Sequence, residues 1–413
     1  MSNRKAHIRE RGAARLAAVL FALIPWQGSG QGLSSPPPVT IADTERHILR
    51  SGVNGVEYQI DVALPRGYAT SQKRYPVVYT LDGNVFFPVL TASYRLANAI
   101  IPDELIVIGV GYPSDEYGFW SRAYQESRAR DYTTKPAKAV GGISAGAGGA
   151  PLFLRFLREE LIPFIDSSYR SVPGDRGLVG HSYGGLFAAY VLTHDPGLFQ
   201  KYALGGPSLF WDDEAPLRWE AEYAAKHREL RARVYVYVAD HDYESHIEGI
   251  EGDSKRRFWE ALKARQYIGL DLVDFIIVSD EIHTSVVLGS MEHALRSLYA
   301  PRAVSLPVDV LSRYTGEWKV GAEPAWTIRQ DSDRLFIEIP AYPDGPLAEW
   351  APQRREIFAE SDTSFFSKLG DIRIAFTLDA DKRLATEMKV ALPLYGYASA
   401  LRRSPAIPGT AAK

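Results

Sequence analysis

The chain contains no cysteine. Disulfides, thiolate metal sites and a cysteine nucleophile are therefore excluded, and cysteine usage says nothing about redox compartment. An excess of charge of either sign is also lacking: 47 Lys and Arg stand against 50 Asp and Glu, a net charge of −3 with a pI near 6.3. A nucleic-acid partner needs a concentrated basic face, and no such run occurs in the part expected to fold, so none is expected. Nor is there an apolar run long enough to cross a bilayer comfortably as a permanent anchor. The nearest approach, Leu16 to Ile24, comes after Arg4, Lys5, Arg9, Arg11 and Arg15 and precedes a small, polar stretch around Gly28-Ser29-Gly30-Gln31. That order of basic region, short apolar core and small-residue exit is the layout of a secretory signal. With Pro36-Pro37-Pro38 isolating it from the rest of the chain, residues 1–38 read as signal peptide and Pro-rich linker. The expected product is an exported bacterial protein, periplasmic or secreted, with no permanent membrane span in the mature chain.

What is present is a long chain, 413 residues at 46% hydrophobic, enough for a sizeable core and for two domains. Its organising stretch is Gly180-His181-Ser182-Tyr183-Gly184-Gly185. Before it, Arg176 to Gly180 reads as a short buried strand; after it, Leu186 to Leu192 reads as an apolar helix. Strand, tight turn and helix are the context in which G-x-S-x-G acts as a nucleophile elbow. Ser182 sits on the turn in a sparsely allowed backbone conformation, with Gly180 and Gly184 letting strand and helix approach.

Around the elbow the pattern alternates. Glu57 to Leu64 alternates polar and apolar residues like an exposed edge strand, whereas Tyr75–Leu81 and Leu105–Val110 are nearly continuous apolar runs, as in strands covered on both faces. Phe86 to Ile100 has room for a crossover helix. Further units come after it: an amphipathic helix from Pro151 to Ile165, a strand over Arg233–Val238, a helix over Lys255–Arg265, a strand over Leu272–Val278 and a last helix to Tyr299. Alternating strands and helices predict a mainly parallel sheet with helices on both faces, with ligands bound at the strands' carboxyl ends. After Pro301 the character changes to short alternating segments, among them Gly316–Val320, Ala325–Ile328, Leu335–Ile339, Phe365–Ser367, Ile372–Leu378 and Glu387–Leu392. Such close spacing predicts a smaller C-terminal antiparallel barrel or sandwich. The expected division is an α/β catalytic domain over 39–302, a β domain over 303–402 and a tail over 403–413.

A serine hydroxyl is a poor nucleophile at neutral pH, so the elbow predicts a histidine base and an orienting carboxylate in the order Ser, Asp or Glu, His. His283, on the loop after the last apolar strand, has that place. His181, beside the serine, points to the opposite face and reads as a core or supporting group. For the acid, Asp240, Asp242 and Glu244 come after the preceding strand; Asp242 is the choice, with Asp240 and Glu244 as alternatives. A metal reading of His241, Asp242, Glu244 and His246 matches no zinc spacing, so neither metal nor cofactor is expected. The oxyanion donors should be the backbone N–H of Tyr183 and an amide at Asn84, in the turn Leu81-Asp82-Gly83-Asn84.

Together, Leu81-Asp82-Gly83-Asn84, Arg130-Asp131-Tyr132-Thr133, Phe153 to Ile165, the elbow, Pro207 to Asp212 and Glu281-Ile282-His283-Thr284-Ser285 resemble the esterase branch of the α/β-hydrolases. That branch includes ferric-enterobactin esterases, S-formylglutathione hydrolases, feruloyl and acetylxylan esterases and mycolyltransferases, and the likeness is strongest to siderophore-esterase-type hydrolases. The resemblance covers Val56 to Tyr299. It implies Ser182 as nucleophile, His283 as base and Asn84 and Tyr183 as oxyanion donors. Enterobactin-type activity would also need contacts for a bulky anionic ligand, for which Arg128 and Arg130 are candidates, with Trp120 and Trp211 completing the expected substrate-binding set. The connection from Tyr112 to Ala150, with aromatic Tyr117, Phe119, Trp120 and Tyr124 and glycine-rich 141–149, reads as pocket wall and lid. Its Gly-Gly-x-x-x-Gly lacks the Lys-Ser or Lys-Thr of a phosphate loop. The C-terminal part resembles lipocalin-like modules appended to some bacterial serine hydrolases. The expectation is a serine carboxylic-ester hydrolase acting through an acyl-enzyme on a small-molecule ester. An acyltransferase, or a catalytically silent binding protein on the same fold, is the alternative.

Overall fold

The computed structural model describes residues 39–97, 104–113, 120–136, 148–242, 253–319, 321–342, 353–368, 372–392 and 397–404. Its first part is an eight-stranded sheet built from β1 (Thr44–Arg50), β2 (Glu57–Ala63), β3 (Tyr75–Leu81), β4 (Ile106–Gly111), β5 (Ser171–His181), β6 (Lys201–Gly205), β7 (Glu229–His241) and β8 (Ile268–Ile282). The spatial order is β1-β2-β4-β3-β5-β6-β7-β8. The pairs β1/β2 and β2/β4 are antiparallel and every later pair is parallel. This is the mainly parallel α/β sheet the sequence predicts.

The continuous apolar runs are explained by burial on both faces. In β4, Ile106, Ile108 and Val110 enter one core while the alternate Val107 enters the other. Each such buried side chain contributes about 1.5–3 kcal/mol over its exposed state. One face is covered by α1 (Gly83–Ala97) and α8 (Val286–Tyr299), through residues such as Phe87, Leu90, Met291 and Leu295. The other carries α2 (Arg122–Tyr132), α3 (Ala150–Phe156), α4 (Ile162–Ser168), α5 (Tyr183–His194), α6 (Trp211–Ala224) and α7 (Ser254–Arg265). A π turn, Leu157–Leu161, joins α3 to α4. α5 is buried from Gly184 to Thr193, which accounts for its apolar character all round.

Two local expectations are corrected. β2 is not an edge strand: β1 takes that place, and β2 is buried from Tyr58 to Ala63, with Tyr58, Ile60 and Val62 packed into one core and Ala63 into the other. The connection from Tyr112 to Ala150 is not all loop, since α2 occupies 122–132. Its buried face consists of Tyr124, Gln125, Arg128, Ala129, Asp131 and Tyr132, so it carries little hydrophobic period to read. Residues 114–119 and 137–147, where the rest of the lid reading falls, lie outside the described residues, as do residues 1–38.

The C-terminal part is a closed eight-stranded barrel, preceded by α9 (Val308–Leu311). Its strands are β9 (Gly316–Lys319), β10 (Trp326–Asp331), β11 (Arg334–Ile339), β12 (Gln353–Ala359), β13 (Ser364–Phe366), β14 (Arg373–Leu378), β15 (Ala385–Leu392) and β16 (Tyr397–Arg403). Closure by the β16–β9 pair removes the open edges that a sandwich would have left. The interior is filled by Trp318, Trp326, Phe365, Phe376 and Met388 around Tyr314, whose ring lies 4.8 Å from both phenylalanines. Sheet and barrel lie in one compact unit, Ala42–Lys413, and the segment between α8 and α9 is tied to the barrel where the Val304 N–H donates to the Ala359 carbonyl at 2.8 Å. Among the described residues no helix is long and apolar enough to cross a membrane.

Candidate active site

The end of β5 and the start of α5 place Ser182 at φ 59°, ψ −120°, a strained conformation for a non-glycine residue. The strain is held from several sides. The Ser182 N–H donates to the Gly205 carbonyl at 2.8 Å, and its carbonyl accepts from Leu186 and Ser208. A Cβ on Gly180 would lie 2.2 Å from the Gly184 carbonyl oxygen, so strand and helix touch there through backbone alone. The second tight glycine is Gly185, whose Cβ would meet Pro207 at 2.8 Å; Gly184 has ordinary clearance. The Ser182 hydroxyl lies 3.5 Å from that of Ser208, and Tyr183 opens α5, so its N–H belongs to the donors at a helix N-terminus that find no acceptor within the helix.

β7 and β8 deliver the other two groups. His283 comes directly after β8, and its Nδ1 lies 3.1 Å from Oδ1 of Asp242, which comes directly after β7. Both side chains are largely buried. Asp240 is engaged differently. Its exposed carboxylate accepts the N–H groups of Asp280 and Glu281, and these hold its pKa below the usual value, the Asp280 bond most strongly. It thus ties the end of β7 to the end of β8. Glu244 lies outside the described residues, as does His246. Asp240, His241 and Asp280 could bring ligand atoms within 4.8 Å of one another, but all three are exposed and the Asp240 carboxylate is already committed.

Ser182 and His283 line a cavity of about 680 Å³, with Val85, Phe86, Trp120, Gln125, Arg128, His181, Tyr183, Ile282 and Val287 among its walls. Of the four residues expected to bind substrate, Trp120 lies at the rim and is largely exposed. Arg128 also lines the cavity, but it is buried and bidentate to Asp82 at 2.7 and 3.0 Å. Burial alone would lower its pKa; the charge and hydrogen bonds of Asp82 outweigh that and hold it above the ordinary value. Its guanidinium also lies over the Tyr183 ring at 5.5 Å, so it clamps the loop after β3 to the elbow. Arg128→Met would strand a buried carboxylate, and the expected loss of unfolding free energy is about 3–5 kcal/mol, read as a lower urea midpoint at unchanged slope.

Arg130 and Trp211 do not reach the cavity. Arg130 pairs with its neighbour Asp131 and stacks over Tyr112, while Trp211 is buried edge-on behind Tyr183 at 5.2 Å. The Asn84 side chain is likewise spoken for: it donates to the Tyr112 carbonyl and accepts the Tyr112 N–H, both at 2.8 Å. The main-chain N–H of Asn84 lies in the first turn of α1, where those of Val85 and Phe86 bond to the Asp82 carbonyl. His181 is buried with its ring 4.5 Å from that of His283. Burial first, then the charges of His283, Arg128 and Lys255, push its pKa well below the ordinary histidine value, so it packs beside His283 as a neutral ring.

Residues 51–261 match the family described as "Putative esterase". This span includes Asn84, Ser182 and Asp242 and ends before His283. The chain is 28% identical over 274 residues to the ferri-bacillibactin esterase BesA of Bacillus subtilis, covering 63% of this chain and 91% of that one. A siderophore enterobactin esterase of Emericella nidulans is 35% identical over 170 residues, 39% of this chain and 56% of the relative. Among solved structures, the BES protein of Bacillus cereus superposes with a TM-score of 0.54 at 28% identity, over 64% of this chain and 97% of that one.

Proposed function

The chain belongs to the esterase family and is an ester hydrolase, and from that premise we propose that it cleaves carboxylic esters through a covalent acyl-enzyme on Ser182. In this reading His283 takes the Ser182 proton through Nε2 as Oγ attacks the acyl carbon. The oxyanion that forms accepts from the main-chain N–H groups of Tyr183 and Asn84, each such donor being worth about 3–4 kcal/mol in related chemistry. Collapse expels the alcohol, which takes its proton from His283. Water then attacks the acyl-enzyme with the same imidazole as base, releasing the acid and restoring Ser182. Asp242 fixes the proton on His283 Nδ1, leaving Nε2 as the acceptor. The observation that carries the proposal is the 3.1 Å His283–Asp242 contact on a cavity that also holds the positive-φ serine.

The substrate is proposed to be a siderophore-type or other aryl or acyl ester. Phe86, Trp120, Tyr183, Ile282 and Val287 make the walls largely apolar and aromatic, and the volume suits a ligand of moderate size. The names of the relatives, which act on ferri-bacillibactin and enterobactin, support the same class. Export of the enzyme, and its division into a catalytic domain over 39–302 and a β domain over 303–402, belong to this proposal. Purified enzyme and Ser182→Ala are to be compared on short-acyl nitrophenyl esters, aryl esters, and ferric and apo catecholate trilactones. Serine-dependent turnover is expected, and the preferred substrate defines the class; failure of the wild type on the whole panel would contradict the proposal.

A further inference from the structure

Lys255 is the second residue of α7, 4% exposed, and its Nζ lies 3.6 Å from Oδ2 of Asp242. Nothing about the helix calls for a cation there. The first turn of a helix carries partial positive charge from its N–H groups, so an ammonium is unfavourable at that end. The turn already has its cap, since the Asp253 carboxylate accepts the N–H groups of Lys255 and Arg256 at 3.1 and 3.2 Å. Taking an ammonium out of water also costs several kcal/mol unless an anion answers it. Asp242 is such an anion. Its two oxygens therefore face two different partners: Oδ1 meets the His283 imidazole, and Oδ2 meets the Lys255 ammonium.

We propose that Lys255 is a positioning residue for the reaction, holding the Asp242 carboxylate from behind so that Oδ1 stays directed at His283. The inference rests on the Ser182, His283 and Asp242 reading above. A carboxylate tethered on one oxygen loses the freedom to rotate about its terminal bond, and the imidazole it orients keeps a fixed aim at the serine. Misplacement of a catalytic group by about 1 Å can cost on the order of a hundredfold in rate. Lys255 itself does not line the cavity; its effect passes through Asp242.

The test is a double-mutant cycle on kcat and KM, using the nitrophenyl ester that the wild type turns over best. Lys255→Met is expected to lower kcat about tenfold to a hundredfold with KM within about twofold, since only the aim of the base is disturbed. Lys255→Arg, which keeps the charge near Oδ2, is expected to recover most of the loss. In an Asp242→Ala background, where no group is left for Lys255 to hold, Lys255→Met should have no further effect on kcat. Should Lys255→Met fail to fold at the assay temperature, Lys255→Gln carries the same comparison. Wild-type kcat in the lysine variant, or an equal loss in both backgrounds, would overturn the inference while leaving the Ser182 reading intact. An unimpaired Asp242→Ala would overturn both, because a carboxylate that does not matter needs no positioning.

Discussion

Ser182→Ala is expected to lower kcat/KM for ester cleavage by about 10⁴ to 10⁶, the range in which removing the nucleophile from a triad falls. The fold should survive the change. Ser182 makes its structural bonds through main-chain atoms, to Gly205, Leu186 and Ser208, while its hydroxyl makes the long 3.5 Å contact with Ser208 Oγ. Alanine occupies the same strained backbone no worse than serine does, so the unfolding midpoint should shift by no more than the equivalent of about 0.5 kcal/mol. The pairing of a collapsed rate with an unchanged midpoint, measured by steady-state kinetics and urea unfolding on one preparation, separates chemistry from misfolding. Substantial turnover by the alanine variant would place the nucleophile elsewhere.

Asp242→Asn is expected to cost about 10⁴ in kcat, and the geometry says why. The asparagine amide would face the same two partners as the carboxylate. Lys255 can only donate, so it attracts the amide oxygen, which turns the NH₂ toward His283 Nδ1. Nδ1 must then accept, the ring proton moves to Nε2, and the imidazole can no longer take the serine proton. The same substitution at Asp240 leaves the His283 contact untouched and should change kcat by no more than a few fold. Comparable losses at both positions would mean that the carboxylate matters for the loops and not for the base.

Much of this was legible in the sequence, for reasons that can be named. The elbow showed itself because a strained serine turn demands glycines at fixed offsets and an apolar element on each side. His283 stands out in sequence because it follows the last strand of the sheet, and in the fold its ring meets Asp242. The main strands were visible because burial on both faces writes continuous apolar runs. Other features left no such trace. Asp240, Asp242 and Glu244 alternate in sequence, and only the fold makes Asp240 a clamp on the end of β8 while Asp242 meets the imidazole. α2 buries glutamine, arginine and aspartate, so a search for apolar periodicity passes over it. Its Arg128 reads from sequence as a contact for an anionic ligand, and only the fold sets it against Asp82. In the barrel, Gln353–Ala359 is hard to read because Arg354, Arg355 and Glu356 dilute its alternation, and Tyr397–Arg403 because Leu401 is its one large aliphatic side chain, set among small residues and arginines. The engagement of Asn84 left no trace either: its side chain staples α1 to the residue after β4, through both main-chain groups of Tyr112.

The most direct test of the central claim is to trap the covalent intermediate. Brief exposure to a fluorophosphonate that reacts with activated serines, with intact-mass measurement and peptide mapping afterwards, should give one adduct per chain, on the peptide carrying Ser182. Ser182→Ala should remain unlabelled under the same conditions. An unmodified wild type, or an adduct on another serine such as Ser208 that persists in Ser182→Ala, would contradict the acyl-enzyme account.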